Sequence, residues 1–181
     1  MQEDVNPFLD LDALHAAIES EITAQYPDLK VVEFYREEER KQLPLPAILL
    51  DLTEFEVETD KDPGTGQLAV NARFEAEIIF GFNTPNVKRE IRKFAAAFAA
   101  WLRLRRWKGI VGPDAVQVIG CYRDAFHPQL DKYEVWRVEF AQVLYIGEKD
   151  WTNEGKIPST VYIGYSPAVG TGSEPAYTEL T

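Results

Sequence analysis

Two histidines, one cysteine and a scatter of carboxylates are the side chains here with the means to do chemistry. His15 and His127 each lack a second histidine at i+3 or i+4 and a nearby cysteine, so no zinc site can be written. His15 falls on an expected helix and His127 in a proline-containing turn, and both read as incidental. A single cysteine, Cys121, excludes an intramolecular disulfide and any cysteine-based metal cluster, and it reads as a small buried strand residue. Asp51, Glu54, Glu56, Glu75 and Glu77 lie on neighbouring expected strands, where paired carboxylates can hold Mg²⁺ or move protons. Pro27-Asp28 followed by Glu39-Arg40-Lys41 has the residue types of the PD…ExK arrangement of metal-dependent nucleases. That chemistry needs them at facing strand positions, yet Asp28 follows a helix end and Glu39 sits in a polar run. Glu75 and Glu77 occupy the polar face of an alternating strand, where charge is expected anyway. There is no GxSxG, Walker or dinucleotide glycine pattern. Gly109–Gly112 reads as a helix terminator, and Gly164–Gly172 lacks the strand-before, helix-after setting of a phosphate loop. The residues offer no enzyme: no catalytic residue, metal or cofactor is expected.

The elements that would position these residues centre on Gln67–Trp107. From Leu68 to Phe82 every even position is apolar, while Gln67, Asn71, Arg73, Glu75 and Glu77 hold the odd ones. This is the period of a strand with one face on a core. After Asn83 the period changes: Val87, Ile91, Phe94 and Phe98, then Trp101 or Leu102, form a helical stripe. Thr84 and Pro85 are expected as N-cap and first helical residue, with Arg103, Arg105, Arg106 and Lys108 in the last turn.

Before this unit, a flexible arm (residues 1–9) precedes a helix from Asp10 or Asp12 to about Tyr26, with Leu11, Leu14, Ile18 and Ile22 on one stripe and Pro27 as its stop. Lys30–Tyr35 reads as a strand, residues 36–42 as a polar loop, and Ala47–Thr59 as a second strand. Asp60–Gly66 is a dense turn signal, so the flanking strands should form a long charged hairpin whose tip projects beyond the body. After the helix, Val116–Phe126 and Lys132–Ile146 are further strands, with Gln142 the one polar break in an apolar face. From Gly147 the chain turns rich in Gly, Pro, Ser and Thr but keeps Trp151, Val161, Tyr162, Ile163 and Tyr165, too many large apolar groups for a disordered tail. The expectation is α+β: an antiparallel sheet of about five strands, two helices on one face, and an extended C-terminal arm. The boundaries are 1–9 for the arm, 10–149 for one domain and 150–181 for the second arm.

At 181 residues, with 30 acidic against 19 basic side chains and a net charge of −11, the chain can bury a real core and would be repelled by nucleic-acid phosphates unless its bases were segregated. Its one basic run is Lys88–Lys108. No apolar run is long enough to span a bilayer and the acidic N-terminus is unlike a signal peptide, so a cytoplasmic fold without membrane contact is expected.

Taken together, PAILLDLTEFEVE (46–58), RFEAEIIFGF (73–82), FAAAFAAWLRLRRW (94–107) and WRVEFAQVLYIGEKDW (136–151) resemble the tail terminator proteins of long-tailed bacteriophages, in the form found in Mu-like phages and prophages. The resemblance covers about residues 47–151 and rests on the order and spacing of these stretches. It implies a structural virion protein: a ring of six that caps the head-proximal end of the tail tube, ends its polymerisation and presents a surface to the neck. The implied partners are further copies, the major tail tube protein and a neck or head-completion protein, with DNA passing through the lumen without specific binding. It also implies assembly in the host cytoplasm and residence in the virion. A neck or tail-completion part of similar fold and a bacterial adaptor module are the alternatives. The interface candidates are Asp60, Lys61 and Asp62 at the hairpin tip, facing a partner or the lumen. Trp151, Tyr162 and Tyr165 are the others, facing a neighbour, the tube or their own domain. The C-terminal arm has no counterpart in the family pattern.

Overall fold

The computed structural model describes residues 9–36, 43–107, 114–124, 133–149 and 160–180. Residues 1–8 of the expected N-terminal arm, 37–42 of the polar loop, the breaker at 109–113, the His127 turn and Trp151 lie outside these residues, while Leu9, expected in the arm, packs against the core. The chain divides into two compact units, Met1–Asp150 and Trp151–Thr181.

In the first unit, helix α1 spans Leu11–Gln25. The Asp10 carboxylate caps it, accepting from the backbone N–H groups of Asp12 (2.9 Å) and Ala13 (3.1 Å) and so satisfying two of the donors a helix start leaves open. Its Leu14, Ala17, Ile18 and Ile22 are buried on one stripe. Strands β1 (Val31–Phe34), β2 (Ala47–Val57), β3 (Leu68–Gly81), β4 (Gln117–Arg123) and β5 (Tyr133–Ile146) form one sheet in the order β1-β2-β3-β5-β4. The α+β architecture follows: helix α2 (Val87–Leu102) lies against β3, β4 and β5, and α1 lies against β1.

The sheet is mixed rather than wholly antiparallel, because β1 runs parallel to β2, pairing Val31 with Ala47 through Phe34 with Leu50. A parallel neighbour needs a crossover of about a dozen residues, and residues 35–46 supply that length. The β2–β3 ladder shifts register between Leu52 and Glu54. That bulge explains a change of parity in the sequence: Ile48, Leu50 and Leu52 share the core-facing side with Phe55 and Val57 only because one extra residue intervenes. β5 accompanies β3 over its whole length, from Gly81↔Tyr133 to Leu68↔Ile146. The projection is therefore limited to the turn and to the outer edge of β2. Beyond Leu50 that edge has no strand partner among the described residues.

Two expectations for α2 are corrected. Thr84 and Pro85 belong to a turn, and the residue before the helix is Asn86, in the left-handed region at φ 52°, which asparagine tolerates better than most residues. The helix stops at Leu102, so the cations expected in its last turn lie beyond it. Arg105 instead pairs with Glu21 (3.9 Å) and lies over the Trp101 ring at 4.9 Å.

The core sits between the helices and one face of the sheet. Phe74 and Phe140 stand opposite one another across β3 and β5 and stack with centroids 5.1 Å apart. Phe98 of α2 and Trp107 beyond it are fully buried beside them. Gln142, the polar break on β5, is also buried and donates its side-chain N–H to the Asp114 carbonyl at 2.8 Å. It ties the strand to the chain entering β4. Cys121 corrects its expectation, lying exposed on β4, the edge strand, and not in the core.

The second unit is more ordered than an extended arm. β6 (Val161–Ile163) and β7 (Thr178–Leu180) form a two-stranded antiparallel sheet, with a short 3-10 turn at Glu174–Ala176. The Tyr177 ring lies over Gly164, and its hydroxyl accepts from the Gly170 N–H at 2.7 Å.

Candidate functional site

Strand register turns the scattered carboxylates into a cluster. On the sheet face away from the helices, one cross-strand row reads Leu49, Glu77, Arg137, Tyr122, and the next reads Asp51, Glu75, Glu139. Arg137 fills the centre. Its guanidinium reaches Glu75 at 2.6 Å through one terminal nitrogen, and Glu77 at 2.9 Å and Asp124 at 2.6 Å through the other. Tyr122 donates its hydroxyl proton to Glu139 at the edge of the cluster. Among the described residues Arg137 is the base that meets this group of five acids, and each of its charge-assisted contacts is of the strong kind.

The electrostatics follow from partial burial. Burial raises the Glu75 carboxyl; Arg137 opposes the rise, and Glu139, Glu77 and Asp51 add to it. Burial also raises Asp51, with Glu77 adding and Arg137 opposing. The hydrogen bond to Glu139 pushes the Tyr122 hydroxyl up to about 12. For Arg137 burial acts downward but is outweighed by Glu75, Asp124 and Glu77, so the guanidinium is held charged more firmly than usual. Chemically the arrangement is an ion cluster, in which a fixed guanidinium takes the place a cation would need. Among the described residues no group of three or more His, Cys, Asp or Glu side chains is arranged so that it could hold a metal ion. Glu54 stands apart from the cluster, 3.7 Å from Arg73, and Glu56 faces Asn71. Asp28 follows α1 in a turn, and Glu39 lies outside the described residues.

A second ionic site ties the helix layer to the sheet. Glu134 on β5 is 2% exposed, yet its Oε1 lies 3.3 Å from Arg123 on β4 and 3.9 Å from Arg92 on α2. The Arg92 guanidinium also sits 5.1 Å over the Trp136 ring. His15 packs its ring on Phe34 at 4.2 Å and meets the Tyr35 hydroxyl at 3.3 Å, with burial lowering its pKa.

The sequence-derived interface residues divide between the two units. Asp60 and Lys61 sit in a 3-10 turn at Thr59–Lys61, and Asp62 follows it, its carboxylate accepting from the Gly64 N–H at 2.8 Å. The Lys61 ammonium lies 3.3 Å from Asp114, in an ion pair that leaves its side chain 46% exposed. Tyr162 and Tyr165 are 57% and 74% exposed in the second unit. Sequence reasoning passed over Arg137, Asp124 and Glu134. Lone bases or acids at strand positions were the signal, and only the register between strands gives them meaning.

No helix among the described residues is long and apolar enough to cross a membrane. No protein-family model matches the sequence, and no curated protein is significantly similar to it.

Proposed function

We propose that this chain is a structural, non-enzymatic part of a long-tailed phage virion. It caps the head-proximal end of the tail tube as a ring of copies, stops tube growth and offers the neck a surface to join. The observation that carries the reading is the central unit. A fourteen-residue strand runs into a sixteen-residue helix, and a second fourteen-residue strand pairs with the first from end to end. These are the stretches, in the order, that carry the resemblance to tail terminators. An ion cluster centred on an arginine and an open strand edge suit a part that works by contact. The partners would be further copies, the tube protein and a neck or head-completion protein, with DNA threading a lumen to which an acidic chain does not bind it. The protein would assemble in the host cytoplasm and remain in the virion.

The test is tail length by electron microscopy in lysates of the parent phage carrying an early stop codon in this gene. Overlong tubes unattached to heads are expected. Normal-length tails without heads would assign the chain to the neck or to tail completion, and normal infectious particles would overturn the virion reading in favour of an adaptor role.

A further inference from the structure

The charges of the first unit are segregated. Between residues 88 and 108 eight of the 19 basic side chains stand against one acid, Glu90. On α2 and the turn after it, Lys88, Arg89, Arg92, Lys93, Arg103 and Arg106 are exposed, and Ala96, Ala97 and Ala100 lie among them on the same half of the helix. Lys88, Arg89 and Arg103 make no ion pair among the described residues. The opposite charge lies on the hairpin. From Asp51 to Asp62 there are six acids and one base, Lys61, which Asp114 already occupies. At the same end the apolar side of the sheet emerges from under the helices: Phe55 and Val57, which pair with Ala72 and Val70, and Leu68, two residues before Val70 on β3, are 43%, 56% and 49% exposed.

Acids on an edge strand are in part a guard against unwanted strand pairing. That role explains Glu54 and Glu56. It leaves unexplained an exposed apolar patch beside them and a cationic helix on a strongly acidic chain. Within one copy the two surfaces do not meet, since α2 rests on β3, β4 and β5 and makes no contact with β2 among the described residues. Glu54 is shared with Arg73, and Arg92 and Lys93 have Glu134 and Glu90, but Lys88, Arg89 and Arg103 on the one surface and Glu56, Glu58 and Asp60 on the other have no ion pair among the described residues.

We propose that the exposed face of α2 docks on the β2 edge and hairpin turn of a second copy of this chain. The alanines of the helix cover Phe55, Val57 and Leu68 of the neighbour, and its lysines and arginines reach the neighbour's Glu54, Glu56, Glu58, Asp60 and Asp62. Two different surfaces of each copy are used, so the contact is heterologous and propagates into a closed ring or an open filament. The inference deepens the ring reading given above, and its place in a virion rests on that reading.

Sedimentation velocity on the full chain tests it, at low and at high salt. The wild type is expected to associate at low salt and to dissociate as salt screens the charges. Reversing the helix with Lys88→Glu/Arg89→Glu/Lys93→Glu, or the hairpin with Glu54→Lys/Glu56→Lys/Glu58→Lys, should each weaken association roughly a hundredfold or more, the scale on which like-charge contact acts. A chain carrying both reversals should associate again, which also shows that the single variants fold. A wild type that stays monomeric at low salt, or association that ignores both reversals, overturns the proposal. So does a helix variant whose main loss is retention on duplex DNA, which would assign the cations to nucleic acid. If the reversed genes restore normal tail length to the stop-codon phage, these surfaces are wrong while the capping role stands; normal particles from the stop codon itself remove the role and leave the surfaces.

Discussion

Arg137 is the residue on which most of the polar face depends, and its loss has a calculable sign. Arg137→Met leaves Glu75, Glu77 and Asp124 facing one another with the central positive charge gone, and should cost about 2 kcal/mol at neutral pH, short of a fully buried pair because the side chain is 23% exposed. Without the guanidinium the Glu75 carboxyl, already raised in the folded state by burial, rises further, so the deficit should shrink as pH falls through the carboxylate range. Urea unfolding of variant and wild type at neutral and acid pH reads this directly. Asp51→Asn should act the other way. The Asp51 carboxyl is already raised in the folded state by burial and by Glu77, so any stability it contributes is present below its ordinary value of 3.8 and is lost as pH rises through the folded pKa. Removing the charge should therefore stabilise at neutral pH, by under about 1 kcal/mol because the site is well solvated, with the gain vanishing in acid. Gln142→Leu, which strands the Asp114 carbonyl, should cost about 1–2 kcal/mol in the same assay.

At the scale of elements, the strong periodicities were legible and the pairings were not. The even-position run of β3 and the stripe of α2 follow from burial of one face; the structure encloses the even positions from Val70 to Ile78, with Phe74, Ile91 and Phe98 fully buried, and leaves Leu68 and Phe82 at the ends of the run exposed. Phe98→Ala should accordingly cost about 3–5 kcal/mol, read by chemical denaturation. What sequence could not give was contact between segments distant in the chain. The parallel edge at β1, the bulge after Leu52 and the convergence of Glu75, Glu77 and Asp124 on Arg137 all depend on which strand lies beside which. Local preference misled at the start of α2, where a Thr-Pro pair looks like a cap and start. The chain instead makes a turn there, with the Thr84 N–H bonded to the Gly81 carbonyl. The tip residues Asp60, Lys61 and Asp62 were legible as a turn, but the engagement of Lys61 with Asp114 was not. In the C-terminal hairpin the Gly164 position is set by a neighbour: a Cβ there would overlap the Tyr177 ring. Gly164→Ala should displace the ring and break its bond to Gly170, seen as loss of amide protection at Gly170 in hydrogen exchange.

For the whole molecule, the two units differ in what holds them. Every residue of the buried cluster, from Leu14 to Leu144, belongs to the first unit. Among its described residues the second unit has no such cluster: all six residues of its two strands are exposed, and so are Tyr165 and Val169. A lone two-stranded hairpin is marginal in water, because it has no second layer against which to bury its apolar side chains. Unequal support predicts unequal consequences of cutting the chain. A protein ending at Asp150 should keep its far-ultraviolet circular dichroism per residue and a melting temperature within roughly 5 °C of the full chain, since it loses no residue of the cluster and about 1 kcal/mol moves a domain of this size by only a few degrees. A peptide of residues 151–181 should show little fixed structure by itself. If the truncated protein instead melts far lower, the first unit depends on the second for cover, and Tyr162 and Tyr165 act as part of its core. If it melts as expected but no longer assembles or complements, the exposed aromatics of the hairpin act between molecules, one of the two roles the sequence left open for them, and the C-terminal unit becomes an element of assembly and not of folding.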